Sequence, residues 1–278
     1  MRDLSRDARL LSINGATVRK QGNLAEIIAA LCARGIGGIA PWRDQVAALG
    51  LKETARLIRD SGLVVTGLCR AGLFTAEGRA GLAKSLDDNR RAVDEAAALG
   101  ARCLVMLGGG LEPGSRDIAS ARALARDGLA ELLPHAQSAG VPLAIEPLHP
   151  MYAPDRSCIN TMAQANDLCD VLGEGVGIAV DTYHLWWDPN LEREIVRAGK
   201  DRIVAFHISD WLVPTTDLLL DRGMMGDGII DIRQIRGWVE AAGFTGLCEA
   251  EIFSERNWWK RPMDEVLDTC VERFRRVC

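Results

Sequence analysis

The feature that most constrains the fold is an eightfold alternation of short apolar segments with longer amphipathic segments. Apolar runs bounded by turn residues predict core strands, and longer segments with apolar residues at helical spacing predict helices. The predicted strands cover residues 10–16, 35–41, 63–69, 102–107, 141–146, 177–181, 203–208 and 247–252. The predicted helices cover residues 24–34, 45–61, 78–99, 115–139, 160–172, 191–198, 232–242 and 262–277. Repeated strand–helix units are typical of a parallel sheet with helices outside, and eight repeats are the number that closes a barrel.

The competing architecture is an open, doubly wound sheet. No GxGxxG motif follows the first predicted strand, where a dinucleotide-binding sheet would carry one. Polar residues also end four consecutive strands, and an open sheet would not bring four such side chains onto one ion. Because no composition shift or linker divides the sequence, we predict an α/β chain with one domain, a single (β/α)8 TIM barrel over residues 1–278.

Charged or imidazole side chains stand at the ends of four apolar runs. Asp181 ends the run in GIAVDTYH, and the segments VPLAIEPLHP, RIVAFHISDW and GLCEAEIF supply Glu146, His207 and Glu251. Taken singly, each is most simply a solvated strand end or an ion-pair partner. Four in succession favour a shared site, because the carboxyl ends of barrel strands converge on one mouth.

The residue types at these strand ends indicate one bound divalent metal ion. Oxygen and imidazole ligands suit Mn, Mg or Co, and the same set also accepts Zn, so the metal stays open. Glu249 competes with Glu251, since side chains two residues apart on a strand share a face. Glu251 lies nearer the end of the strand, and we therefore predict that Glu249 lies deeper and supports the ligands from behind.

Composition disfavours several classes of function. The net charge of −5 and the pI near 5.5 argue against a nucleic-acid partner, which would need a clustered basic surface. The N-terminal MRDLSRDARL is charged where a secretory signal is apolar, and no apolar run approaches the length of a membrane span. The eight cysteines form no CxxC pair, which is typical of reduced, buried thiols. We expect a cytoplasmic protein without a membrane partner.

Five motifs carry a family resemblance that covers nearly the whole chain. They are IEP at 145–147, DTYH at 181–184, FHISD at 206–210, GDGIID at 226–231 and EAEIF at 249–253. The combination resembles the xylose isomerase-like TIM barrel superfamily, in the sugar phosphate isomerase/epimerase branch with ketose 3-epimerases, hydroxypyruvate isomerase and inosose dehydratase. Relatives often carry HxKD where this chain has HISD at 207–210, so no lysine role is carried over.

The resemblance implies roles for the residues that match the family's motifs. Metal binding is implied for four residues, Glu146, Asp181, His207 and Glu251. Proton transfer is implied for Glu146 and Glu251. His184 and Arg222 match positions that contact substrate in the ketose epimerases, although the segment 211–220 is longer in this chain. Relatives commonly form dimers or tetramers, so the resemblance also implies a homodimer or homotetramer.

Three further residues are candidates for substrate binding. His149 lies in the loop after Glu146, where a pocket residue and a surface histidine are about equally expected, and Trp186 and Trp211 follow predicted strands. Six of the seven tryptophans follow strands, so they should crowd the mouth of the barrel. There they could stack on a sugar, cover a water-excluding lid or anchor a subunit interface. Arg222 is the only basic residue with a reason to lie near the mouth, which favours an unphosphorylated carbohydrate substrate.

The mechanism that the resemblance implies is proton transfer beside a carbonyl. A divalent ion that chelates a carbonyl and its neighbouring hydroxyl would stabilise an enediolate, with Glu146 and Glu251 as base and acid. We therefore expect a metal-dependent isomerase or epimerase of a sugar or keto-sugar. A lyase acting on an oxidised sugar, as dehydratase, decarboxylase or eliminase, would use the same site. The acidic pI and only four histidines disfavour an apurinic-site endonuclease, and the intact ligand set disfavours a non-catalytic barrel.

Overall fold

The apolar runs form strands in a computed structural model, which describes residues 2–4, 7–75, 78–112 and 114–278. In chain order the strands are β1 Leu11–Asn14, β2 Gly38–Ala40, β3 Val64–Val65, β4 Leu68–Gly72, β5 Leu104–Leu107, β6 Leu143–Ile145, β7 Val176–Asp181, β8 Ile203–Ile208, β9 Asp210–Trp211, β10 Arg222–Gly223 and β11 Cys248–Ala250. The helices are α1 Leu24–Ala33, α2 Arg43–Leu49, α3 Leu51–Ser61, α4 Gly78–Leu99, α5 Ile118–Ser138, α6 Met162–Leu172, α7 Thr182–Leu185, α8 Leu191–Arg202, α9 Ile232–Ala241 and α10 Met263–Val277.

The main sheet is parallel, and its strands follow the spatial order β3-β2-β1-β11-β8-β7-β6-β5-β4. The two strands at the ends of this order, β3 and β4, are separated in the chain only by residues 66 and 67. A parallel bridge between Trp42 and Cys69 also connects the chain after β2 with β4. The ends of the sheet therefore meet, and the predicted (β/α)8 barrel is confirmed.

Two elements that were predicted to be continuous are each divided in the structure. The third predicted strand, residues 63–69, is divided because β3 pairs with β2 whereas β4 pairs with β5, so the chain changes partner where the barrel closes. The predicted helix 45–61 is divided into α2 and α3. Gly50 stands at their junction with a φ of 93°, a backbone conformation that glycine adopts without steric cost.

Small side chains fill the barrel beneath the polar strand ends. Ala179 lies two residues before Asp181, and Ala205 lies two residues before His207, so each alanine shares the inward face of its strand. A buried apolar cluster is formed by Cys103, Ala144, Ala179 and Ala205. The larger apolar side chains form a separate and much more extensive buried core. The polar strand ends therefore rest on a floor of small residues.

The prediction of buried thiols holds for seven of the eight cysteines. All eight are free; Cys32 is exposed and the others are buried. Burial raises the pKa of Cys158 and Cys169 to about 11, which disfavours the reactive thiolate at neutral pH. Within the described residues, no helix has the length and apolar character needed to cross a membrane.

Candidate metal centre and active site

The four polar strand ends lie together at the carboxyl end of the barrel. Each side chain offers one ligand atom, and these atoms all lie within 4.8 Å of one another. The residues, all buried, are Glu146, Asp181, His207 and Glu251. Nδ1 of His207 lies 2.8 Å from Oε1 of Glu146 and 3.9 Å from Oε2 of Glu251, so it faces the other ligand atoms. This metal cluster could bind a metal ion.

Neighbouring strands bring the metal cluster together. Glu146 follows β6 directly, Asp181 ends β7, and Glu251 follows β11. His207 lies in β8, opposite Asp181 in the register with β7. The backbone N–H of Tyr183 donates to Oδ1 of Asp181 at 2.7 Å and fixes that carboxylate at the start of α7. Because β6, β7, β8 and β11 are adjacent in the sheet, the four side chains converge without help from a mobile loop.

Negative charge predominates in the metal cluster. Nη1 of Arg222 lies 3.2 Å from Oδ2 of Asp181 and 3.1 Å from Oε2 of Glu251. Despite this arginine, burial raises the pKa of Asp181 to about 6 and also raises the pKa of Glu251. Burial alone would lower the pKa of His207, but the charges of neighbouring glutamates raise it well above its ordinary value. This donor set fits a divalent cation, whose charge would compensate the buried carboxylates.

Glu249 lies on the opposite side of the His207 ring from the other ligands. Its Oε1 accepts a hydrogen bond from Nδ2 of Asn14 at 2.7 Å, and its Oε2 accepts one from Oγ1 of Thr66 at 2.6 Å. Oε1 also lies 3.5 Å from Nε2 of His207. This nitrogen has no hydrogen-bond partner among the described residues. The carboxylate therefore favours a proton on Nε2, which leaves Nδ1 free to bind a metal.

We expect Glu249→Gln to weaken divalent-metal affinity about 10–100-fold, the range typical of partners behind a metal ligand. The amide keeps the size of the side chain but loses the charge that favours a proton on Nε2 of His207. Calorimetric titration with Mn²⁺ measures the affinity. Glu194→Gln is the matched control, because Glu194 is also buried but pairs with Arg197 on α8. Equal affinities of Glu249→Gln and the wild type would contradict this role.

A cavity of about 160 Å³ lies against the metal cluster. Glu146 and Glu251 contribute to its wall, and so do His184 and Arg222. Nη2 of Arg222 lies 3.1 Å from Nε2 of His184. Burial, followed by the charge of Arg222, lowers the pKa of His184 well below its ordinary value, so the ring is neutral. The cavity is smaller than the ~300–1,000 Å³ typical of sites for drug-sized ligands, which suits a small metabolite.

Arginines are more numerous at the cavity than the sequence analysis expected. The prediction of Arg222 as the only basic residue near the mouth was wrong, because Arg19, Arg70 and Arg156 also line the cavity. Arg19 follows β1, Arg70 lies in β4, and Arg156 lies in the loop after β6. None of these three falls in a motif that carries the family resemblance. The sequence feature that could have identified these arginines is their position at or after the carboxyl end of a predicted strand.

The aromatic candidates lie beside the cavity. Trp211 stacks on His149 with ring centroids 4.9 Å apart, and its ring lies 5.7 Å from that of Trp186. None of the three is among the described residues that line the cavity, whereas Trp42 is. The backbone N–H of His149 donates to Nδ1 of His184 at 3.3 Å. This aromatic cluster of His149, Trp186 and Trp211 therefore supports His184, and its role in substrate binding stays a prediction.

We expect Trp211→Ala to lower the free energy of unfolding by about 1–3 kcal/mol without changing the oligomeric state. The substitution removes the ring contacts with His149 and Trp186, which are contacts within one chain. Urea unfolding and gel filtration measure the two properties. Val196→Ala is the control, because Val196 is 67% exposed and its truncation should change stability little. Dissociation of Trp211→Ala with unchanged stability would instead support the interface interpretation.

Comparisons with known proteins identify relatives. The chain matches, over residues 26–273, the model of a family described as xylose isomerase-like TIM barrel. The crystal structure of protein SMc04130 from Sinorhizobium meliloti 1021 is 60% identical, with a TM-score of 0.96 over 98% of this chain and 99% of that chain. No curated protein matched the chain.

Two more distant structures share the fold. IolI protein, solved with a bound zinc atom, is 20% identical, with a TM-score of 0.81 over 95% of this chain and 95% of that chain. D-psicose 3-epimerase, solved in the presence of D-fructose, is 17% identical, with a TM-score of 0.75 over 96% of this chain and 96% of that chain. Because both structures have low sequence identity with this chain, their similarity supports its barrel architecture alone.

Proposed function

Because this chain belongs to the xylose isomerase-like TIM barrel family, we propose that it is a divalent-metal-dependent isomerase or epimerase of a sugar or keto-sugar. The reaction proceeds by proton transfer through an enediolate. The observation that carries the proposal is that Glu146 and Glu251 belong to the metal cluster and also line the cavity. The same two carboxylates would therefore contact both a bound ion and a molecule in the cavity.

A divalent cation bound by Glu146, Asp181, His207 and Glu251 would polarise the substrate carbonyl and stabilise negative charge on the enediolate oxygens. Glu146 and Glu251 act as base and acid, one removing the proton beside the carbonyl and the other returning it. Arg222 holds Glu251 at 3.1 Å. Glu146 lies 2.8 Å from Nδ1 of His207, so both would bind the same ion. Both carboxylates would therefore be fixed before substrate binds, which lowers the cost of reaching the reactive geometry.

His184 and Arg222 bind and orient the substrate. Both line the cavity beside the metal cluster, where Nη2 of Arg222 lies 3.1 Å from Nε2 of His184. The guanidinium of Arg222 also lies over the ring of Tyr183, with Cζ 4.4 Å from the ring centroid, which limits its movement. Trp186 and Trp211 then contribute to substrate binding by supporting His184, and His149 contributes in the same way.

The position of the returned proton decides the product. Return to the other face of the same carbon gives an epimer, and return to the adjacent carbon gives an isomer. The second candidate function is a lyase on an oxidised sugar, in which a leaving group departs from the carbon beside the carbanion. One observation favours this candidate: Arg70 and Arg156 line the cavity, and an oxidised sugar carries a carboxylate.

Solvent exchange tests the proposed function directly. The metal-loaded protein is incubated in heavy water with a panel of ketoses and keto-acid sugars, and deuterium in the recovered sugars is located by mass spectrometry and NMR. Deuterium beside the carbonyl with an inverted centre supports epimerisation, and deuterium on the adjacent carbon supports isomerisation. Loss of water or carbon dioxide supports the lyase. No exchange into any member of the panel under metal-saturated conditions would contradict proton transfer on these sugars.

We further propose one divalent ion per chain, with Mn, Mg or Co preferred and Zn accepted, on the basis of the oxygen-rich donor set. The partner is a small carbohydrate, and a homodimer or homotetramer is proposed from the family resemblance. The cytoplasmic location stays an expectation from the sequence. Light scattering coupled to gel filtration measures the assembly. A monomer at micromolar concentration would contradict the proposed homo-oligomer.

A further inference from the structure

The four arginines on the cavity wall divide into two paired and two unpaired side chains. Arg222 is paired with carboxylates of the metal cluster. Arg19 is paired with Asp44, with Nη2 and Oδ2 2.6 Å apart. The side chains of Arg70 and Arg156 make no hydrogen bond or ion pair with any other residue that the structure describes, and neither residue is exposed. Their N–H donors are therefore available to a ligand in the cavity.

Aromatic rings position the two unpaired guanidinium groups. Cζ of Arg70 lies 5.8 Å from the centroid of the Trp42 ring, and Cζ of Arg156 lies 5.6 Å from that of the Tyr152 ring. Trp42 and Tyr152 line the same cavity. A cation–π contact restrains a guanidinium without supplying an oxygen acceptor for its N–H donors. The rings therefore hold both arginines on the cavity wall without neutralising either.

No carboxylate in the described part of the chain forms a direct ion pair with Arg70 or Arg156. Burial and then the charge of Arg156 lower the pKa of Arg70, and the charges of Glu146 and Glu251 offset this only in part. The protein as a whole carries a net charge of −5, so these arginines do not belong to a generally basic surface. Half-buried charges without a partner are unfavourable, and a ligand anion would remove that cost.

We propose that the substrate carries an anionic group, a carboxylate or a phosphate, that is bound by Arg70 and Arg156. This inference rests on the proposed function, because it assigns the anion to the substrate of the same site. The cavity of about 160 Å³ includes these arginines together with Glu146 and Glu251. A small molecule that reaches the metal cluster therefore also reaches the arginines. Planar guanidinium groups suit both anions, since each forms paired N–H···O contacts with their oxygens.

Three polyols that differ only at C1 provide the test: neutral D-glucitol, D-gluconate and D-glucitol 1-phosphate. Each is titrated calorimetrically into the metal-loaded wild type, Arg70→Gln, Arg156→Gln and the double variant. Charge-assisted hydrogen bonds should make at least one anion bind about tenfold or more tightly than D-glucitol in the wild type. The preference for the anion over D-glucitol should be smaller in each single variant and absent from the double variant. A gluconate preference identifies a carboxylate, and a preference for the phosphate ester identifies a phosphate.

Arg59→Gln is the matched control, because Arg59 lies on α3 with 72% of its side chain exposed, and it should retain the preference. Metal content and melting temperature establish whether each variant is folded. If Arg70→Gln unfolds, Arg156→Gln alone still tests the inference. Equal binding of the three polyols, or no measurable binding of either anion, would overturn the proposal. A preference that survives in the double variant would also overturn it, because the anion would then be binding to the metal. These titrations involve no proton transfer, so their failure is distinguishable from failure of the solvent-exchange assay.

Discussion

Glu251→Gln is expected to slow solvent exchange into the substrate about 100- to 10,000-fold, and Glu146→Gln is expected to have an effect in the same range. Glutamine has nearly the shape of glutamate but does not accept a proton at neutral pH. Both residues line the cavity, so the loss falls on the step that moves the proton. The rate of deuterium incorporation at saturating metal and substrate measures the effect.

Glu255→Gln is a suitable control for this experiment. Glu255 lies four residues after Glu251 and is exposed, so its substitution should leave the exchange rate unchanged. Saturating Mn²⁺ distinguishes a weakened metal site from a missing base. Added metal restores the exchange rate of a variant that binds metal weakly, but not that of a variant that lacks the base. Exchange at the wild-type rate in both Glu146→Gln and Glu251→Gln would exclude these carboxylates as the proton-transferring groups.

Removing divalent cations with a chelator is expected to abolish exchange and to lower the melting temperature by several degrees. A metal at 100 times its dissociation constant stabilises the folded state by about 2.7 kcal/mol, since the unfolded chain has no preformed site. Added Mn²⁺ should restore both properties. His207→Ala removes the imidazole ligand, so Mn²⁺ should no longer raise its melting temperature. A wild-type melting temperature and exchange rate indifferent to chelator and metal would contradict a metal-dependent enzyme.

The convergence of Glu146, Asp181, His207 and Glu251 could be predicted from sequence because it follows from local patterns. An apolar run that ends on a polar residue marks the carboxyl end of a strand, and a barrel brings those ends together. The deeper position of Glu249 follows from the two-residue period of a strand. These features depend on the order of residues within single strands, so they did not require knowledge of packing between distant segments.

The positions of loop side chains could not be predicted in this way. Arg70 and Arg156 come from different parts of the chain, and only the closed barrel brings them to one cavity. Trp211 follows a strand as predicted, but its ring packs on His149 beside the cavity. Whether a loop residue lines the cavity or packs behind it depends on contacts between segments distant in sequence, and the apolar periodicity does not encode them.

The four strand-end residues should hold one divalent ion, and a count of bound metal measures this. The wild type and Asp181→Asn are incubated with Mn²⁺, desalted and analysed by mass spectrometry for metal per chain. Asparagine keeps an oxygen that can accept the N–H of Tyr183, so the start of α7 is preserved while the charged ligand is lost. We expect about one ion per wild-type chain and far less in the variant. Wild-type protein without bound metal, or a variant that retains the full count, would contradict it.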